Sequence, residues 1–266
     1  ATRIPTTVIT GFLGAGKTSL IRHLVENNNG KRLAFLINEF GDLGIDRELL
    51  LGCGVEGCDE DDVVELANGC ICCTVADDFT PALEALLDRD TPPDHILIET
   101  SGLALPKPLV AAFNWPEIRN RVTVDGVITV VDASAVADGR FAPDPDAVQA
   151  MREADPALDH DDPIEELFVD QLQCADVVVL NKSDLLEASA MDALNVNITP
   201  HLRSGVRLLP AAHGRLDASA LLGLGLAAES NVDARKSHHD DEEHDHDDFD
   251  SFAVELGDVA DSDLLE

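Results

Sequence analysis

The stretch Gly11-Phe12-Leu13-Gly14-Ala15-Gly16-Lys17-Thr18 (GFLGAGKT, residues 11–18) fits the pattern G-x-x-x-x-G-K-[ST]. Its glycines let backbone N–H groups converge on phosphate oxygens with no side chain in the way. Upstream, residues 4–10 (IPTTVIT) are β-branched and apolar, which predicts a buried strand. Downstream, Ser19 to Asn27 predicts a helix, whose N-terminal partial positive charge adds to the phosphate site. Strand, glycine loop and helix together are the context this pattern requires. Lys17 is then expected at the β- and γ-phosphates and Thr18 on Mg²⁺. Gly11, Gly14, Ala15, Gly16, Lys17, Thr18 and Ser19 form the expected phosphate-binding set.

Further strands are expected at 31–38 (KRLAFLIN), 95–99 (HILIE), 122–132 (VTVDGVITVVD), 176–181 (DVVVLN) and 206–210 (VRLLP). Helices are expected at 76–89 and 103–113. Strands alternating with helices predict an α/β fold, a P-loop NTPase with a mostly parallel sheet flanked by helices. Residues 39–68 are expected to be loops with a short helix. Residues 133–165, rich in Asp, Ala and Pro, are expected to be a poorly specified surface insertion.

A phosphate loop does not choose the base. Asn181-Lys182-Ser183-Asp184 follows the strand DVVVLN and fits N-K-x-D. The Asp184 carboxylate can accept from the ring N–H and amino group of guanine. Adenine would leave it poorly paired, which is costly for a buried carboxylate. Asn181 is expected to bridge to the phosphate loop, and the Lys182 stem to lie over the base. The nucleotide is therefore expected to be GTP or GDP, which disfavours a P-loop kinase. Glu99 ends HILIE and is followed by Thr100-Ser101-Gly102. An acid at that strand tip suits Mg²⁺ or its waters, and the Gly102 N–H suits a γ-phosphate. Lys17, Thr18, Glu99 and Gly102 are thus the candidate catalytic residues. No arginine finger is evident in cis, so slow intrinsic turnover is expected.

Three of the six cysteines lie within four residues: Asn68-Gly69-Cys70-Ile71-Cys72-Cys73. Thiols this close fit disulfide geometry poorly but suit one soft or borderline metal, with Zn²⁺, Co²⁺ and Cu(I) all open. Zn²⁺ wants a fourth ligand, which Glu39 or Asp42 after the second strand, or water, could supply. That loop is where a nucleotide-sensing switch would lie. Cys53 and Cys58 could extend the site or be free thiols, and Cys174 is expected in the core. His238, His239, His244 and His246 sit in the acidic run HHDDEEHDHDD, either a weak metal tract or a solvated linker.

The chain has 266 residues and a formal net charge of −34, from 18 basic and 52 acidic residues spread along its length. Only five residues are Lys. Such a surface repels nucleic acid and anionic lipid, and Asp-rich, Lys-poor composition suggests a halophilic source. No signal-like segment or long apolar run is present, so no membrane span and a cytoplasmic location are expected. Three regions are expected: a GTPase domain at 1–228, an acidic His-rich linker at 229–250, and at 251–266 (from FAVEL) the start of a truncated C-terminal domain.

Taken together, GFLGAGKTSL (11–20), NEFGDLGID (38–46), VVELANGCICCTV (63–75), ILIETSGLALP (96–106), ITVVDA (128–133) and ADVVVLNKSDLL (175–186) resemble the CobW-type family of P-loop GTPases, which includes metallochaperones. The resemblance covers residues 4 to about 217. It implies a GTPase domain, a His-rich linker and a small C-terminal domain. It also implies a client metalloprotein, or a cobalt chelatase of cobalamin biosynthesis, as partner, with homo-oligomers possible. Ser19 stands where the family usually has Thr, and the GCGVEGC stretch (52–58) before VVEL is unusual. The competing reading is a GTPase regulator or assembly factor whose thiols hold a structural metal.

Overall fold

Continuous apolar strands must be covered on both faces, and the architecture follows from that requirement. A computed structural model describes residues 3–38, 63–66, 79–154 and 164–237. The strands are β1 (Ile4–Thr10), β2 (Leu33–Asn38), β3 (Val63–Leu66), β4 (His95–Glu99), β5 (Val122–Asp132), β6 (Val177–Asn181) and β7 (Arg207–Pro210). They form one seven-stranded sheet in the order β3-β2-β4-β1-β5-β6-β7. Every strand pairing among the described residues is parallel. The α/β class expected from the alternating pattern is therefore the one observed.

Side chains alternate between the two faces, so neighbouring residues of one strand enter different cores. Val8, Ile96 and Ile98 pack with Leu83 and Leu86 of α2 (Thr80–Leu87) and Leu109 of α3 (Pro106–Ala112). Ile9, Leu97, Val177 and Val179 face the other way, onto Ile21 and Leu24 of α1 (Lys17–Glu26) and onto Leu221. A third cluster joins Phe12, Val178 and Leu180 to the helices that follow β5.

Several expectations need correction. VVEL, expected within a loop region, pairs in register with β2 as β3. The 133–165 stretch is not an unspecified insertion among its described residues. Asp132 caps α4 (Ala133–Ala137) by accepting from the Ala135 N–H at 3.0 Å, and α5 (Pro145–Ala154) follows. Ala133, Ala135, Ala142 and Val148 are buried. Small alanines read as polar-surface filler in the sequence, yet here they allow close packing. An unexpected helix, α6 (Ile164–Cys174), supplies the crossover that two parallel strands require between β5 and β6. After β6 come α7 (Ala188–Ile198) and β7.

The linker expected from residue 229 does not begin there. Two short 3₁₀ turns within Ala228–Ala234 return to the domain. Glu229, 4% exposed, accepts from Arg3 Nη1 (2.9 Å), Thr123 Oγ1 (2.7 Å) and the Val124 N–H (2.9 Å). Arg235 is buried, with Nη2 2.9 Å from Asp176 Oδ1, which also pairs with Arg203 at 2.8 Å. Asp125, equally buried, accepts from the backbone N–H groups of Gly223, Leu224 and Gly225 at 2.6–3.0 Å. Three acids thus sew the returning chain to β5 and β6. The linker histidines and the 251–266 segment lie outside the described residues.

Glu229→Ala removes the acceptor for two partners from β5, leaving a buried backbone N–H unsatisfied. It is expected to lower unfolding free energy by about 2 kcal/mol in urea denaturation. A change below about 0.5 kcal/mol would return these residues to the status of a linker.

His95 is fully buried, and its Nε2 lies 2.8 Å from Thr7 Oγ1. Burial pushes the imidazole down to about 4, against a smaller upward pull from Asp125. The unfolded chain takes up a proton near 6.5 that the folded chain refuses. Stability is therefore full above that value and falls as pH drops from 6.5 towards 4. Between pH 7 and 4.5 the native chain is expected to lose about 2–3 kcal/mol more than His95→Gln, read from paired denaturation curves.

Candidate nucleotide site

β1 lies at the middle of the sheet, and the chain leaves it in opposite directions: to β2 on one side, and from β4 across to β5 on the other. A crevice outside the carboxyl ends of the strands at such a switch point is where open α/β sheets bind ligands. Register brings the strand tips together there, with Ile9 opposite Glu99 and Asp132 opposite Asn181.

Residues 11–16 connect β1 to α1 across this crevice. Gly16 has φ +102, and a Cβ there would sit 2.2 Å from Asn181 Nδ2. α1 starts at Lys17, two residues earlier than expected, with no side-chain cap and no acid in its first turn. Its first N–H groups are therefore open to an anion. Lys17 is mostly buried, and its Nζ donates to the Gly11 carbonyl at 2.7 Å. This draws the ammonium over the loop.

A cavity of about 430 Å³ opens here. Gly14, Gly16, Lys17, Thr18 and Ser19 line one end, and Asn181, Lys182, Asp184, Leu185 and His213 the other. Gly11 and Ala15 are buried behind the loop. Glu99, 6% exposed, lines the same cavity as the Thr18 hydroxyl. A carboxylate and a hydroxyl are hard oxygen donors, the set that Mg²⁺ prefers. Gly102 is buried below, and an added Cβ would lie 2.8 Å from the Leu13 backbone nitrogen. The chain after β4 thus passes directly under the phosphate loop.

At the other end Asn181 joins two loops. Its Nδ2 donates to the Ala15 carbonyl, and its Oδ1 accepts from the Gly214 N–H, both at 2.9 Å. Lys182 takes a left-handed conformation (φ +59), and its Nζ pairs with the buried Asp132 Oδ2 at 2.5 Å. That pair fixes the lysine stem. Asp184 keeps its carboxylate partly exposed in the cavity, with His213 Nε2 3.8 Å away. Such a carboxylate can accept two donors from a planar ring edge.

Two participants carried no assigned role in the sequence. His213 follows β7 and faces Asp184, while Asp132 ends β5 and holds Lys182. Both lie just beyond or at a strand's carboxyl end, which is the signal that could have found them. Cys174 is buried, as expected of a core thiol, and burial pushes it up to about 11. Cys70, Cys72, Cys73, Glu39, Asp42, Cys53 and Cys58 lie outside the described residues. Among the described residues no helix is long and apolar enough to cross a membrane.

Residues 5–207 match the family described as CobW/HypB/UreG, nucleotide-binding domain. The chain belongs to this family of P-loop GTPases. The zinc chaperone CobW of a Sinorhizobium species is 60% identical over 264 residues, covering 97% of this chain and 75% of that relative. The zinc chaperone CobW of Pseudomonas aeruginosa is 53% identical, covering 99% and 72%. The crystal structure of the Zn(II)-bound YjiA GTPase of E. coli shares the fold. Its TM-score is 0.54 at 24% identity, over 85% of this chain and 63% of that one.

In this CobW-type domain, Gly102→Ala forces the phosphate loop to shift. It is expected to weaken guanine-nucleotide binding by roughly tenfold, about 1.4 kcal/mol, in a fluorescent-nucleotide titration. Gly30→Ala is the control for backbone strain away from the cavity: at φ +77 an alanine is strained, but its Cβ meets nothing within 4 Å, so stability falls while nucleotide affinity holds. Equal affinities in the two variants would show that the contact beneath the loop does not shape the pocket.

Proposed function

We infer that this protein binds and hydrolyses GTP, and that the nucleotide state controls delivery of a transition-metal ion held on Cys70, Cys72 and Cys73 to a client metalloprotein. The observation that carries the reading is the single cavity with a phosphate loop at one end and Asn181-Lys182-Ser183-Asp184 at the other. Relatives 60% and 53% identical that bear the name zinc chaperone support the metal half.

The roles follow from chemistry. Asp184 accepts from guanine, the Lys182 stem covers the base, and Asn181 keeps the two ends in register. Backbone N–H groups of residues 14–19 and the Lys17 ammonium hold the phosphates. Thr18 and Glu99 would hold Mg²⁺, which would offset the negative charge of the phosphates. Gly102 presents its N–H towards the γ-phosphate end. The cargo is Zn²⁺ on three thiolates, with Glu39 or Asp42 completing four ligands. Those two residues follow β2 in the chain, so a change there on hydrolysis would loosen the grip. Co²⁺ and a cobalt-using client form the alternative cargo and partner.

The test is a competition titration of Zn²⁺ and of Co²⁺, with GDP and then with a non-hydrolysable GTP analogue plus Mg²⁺. An affinity change of tenfold or more between the two states, about 1.4 kcal/mol of coupling, is expected. Replacing all three cysteines by Ser is expected to abolish it. Metal affinity indifferent to nucleotide would make the metal structural and leave a GTPase regulator. Affinity surviving the triple replacement would remove the cysteines from the site.

A further inference from the structure

A second cavity of about 450 Å³ lies beside the nucleotide cavity and shares two residues with it, Ser19 and His213. Its other lining residues are Arg22, His23 and Glu26 of α1, and Arg215. In a chain of 18 basic and 52 acidic residues, two arginines facing one acid is a local reversal of charge. Arg22 Nε is buried and makes no hydrogen bond. Among the described residues the Arg22 side chain has no partner, although an unpartnered buried guanidinium nitrogen is costly, and the exposed Arg215 side chain beside it has none either. Both His23 ring nitrogens are engaged, Nε2 with the Leu216 carbonyl at 2.7 Å and Nδ1 with the Asn27 side-chain amide at 3.2 Å. The donors on offer are therefore the two guanidiniums, the Ser19 hydroxyl and the His213 ring. Planar guanidinium groups match phosphate oxygens in pairs.

The shared residues say where such an anion would come from. Ser19 follows Thr18 at the phosphate end of the nucleotide cavity, and His213 faces Asp184 at the base end. The rim between the cavities therefore runs beside what joins phosphates to base, the ribose. We propose that the second cavity takes a phosphate group carried on a ribose hydroxyl of a guanine nucleotide, so that the protein distinguishes such nucleotides from plain GDP. This rests on reading the first cavity as a guanine-nucleotide site. Glu26 opposes the anion from the rim.

The experiment is calorimetric titration at fixed ionic strength and free Mg²⁺, because phosphate contacts are screened by salt. The probes are GDP, its 3′-diphosphate and 2′-phosphate derivatives, and inorganic pyrophosphate added to GDP-loaded protein. One of the ribose-phosphorylated nucleotides is expected to bind at least about tenfold tighter than GDP, a size typical of one or two charge-assisted bonds. Arg22→Ala with Arg215→Ala is expected to erase that advantage while leaving GDP affinity within about twofold, which also reports that the variant is folded. Equal affinity of all three nucleotides overturns the proposal, and so does an advantage that survives in the double variant. Pyrophosphate binding that needs both arginines, without any ribose-linked advantage, also overturns it and leaves a free-anion site. Failure of GDP itself to bind sinks the nucleotide reading, whereas GDP binding without an advantage sinks only this subsite.

Discussion

Seven parallel strands cannot be joined by hairpins, so each one ends at the same edge of the sheet and each return must cross a face. That constraint gathers Thr10, Glu99, Asp132 and Asn181 at one edge although up to 171 residues separate them in sequence. It also obliges a helix or equivalent cover between consecutive strands, which is why α6 exists. The cavity is a consequence of this traffic. Where β1 sends the chain one way and β5 takes it the other, no crossover covers the tips, and the phosphate loop occupies the gap.

Once the tips are gathered, polar groups must be buried there, and the chain satisfies them reciprocally. The Asn181 amide uses a donor and an acceptor on two different loops. Asp132 serves a helix N-terminus with one oxygen and Lys182 with the other. Away from the cavity, Asp125, Asp176 and Glu229 take backbone N–H groups and scarce arginines. A strongly acidic chain thus places several carboxylates where they are hydrogen-bonded rather than repelled, and each one ties the C-terminal segment to the sheet. His95 marks the opposite solution, a titratable group kept neutral by burial.

The phosphate loop and the Asn181–Asp184 segment were legible because their chemistry is local. Each needs particular residues at fixed spacing, flanked by an apolar run that could only be a buried strand. Glu99 was legible for the same reason. What escaped depended on packing between distant segments. Val63–Leu66 is too short to announce itself and becomes a strand because β2 offers an edge. Alanines between 133 and 148 look like solvent-facing filler until their burial is seen. Glu229 and Arg235 sit in a polar run, and partners distant in sequence, Val124 and Asp176 among them, make them structural. His213 has no motif of its own and acquires meaning from the strand it follows.

The Arg235–Asp176 pair carries a consequence for reach. Asp176 precedes β6, whereas Asn181 and the nucleotide cavity lie at its far end. At Arg235 the chain thus lies about one strand length, roughly 17 Å, from the cavity. Anything tethered there needs about five extended residues merely to come level with the nucleotide. Tether length thereby becomes a design variable: shortening it below that span would lower the effective concentration of whatever it carries at the cavity without altering either binding surface.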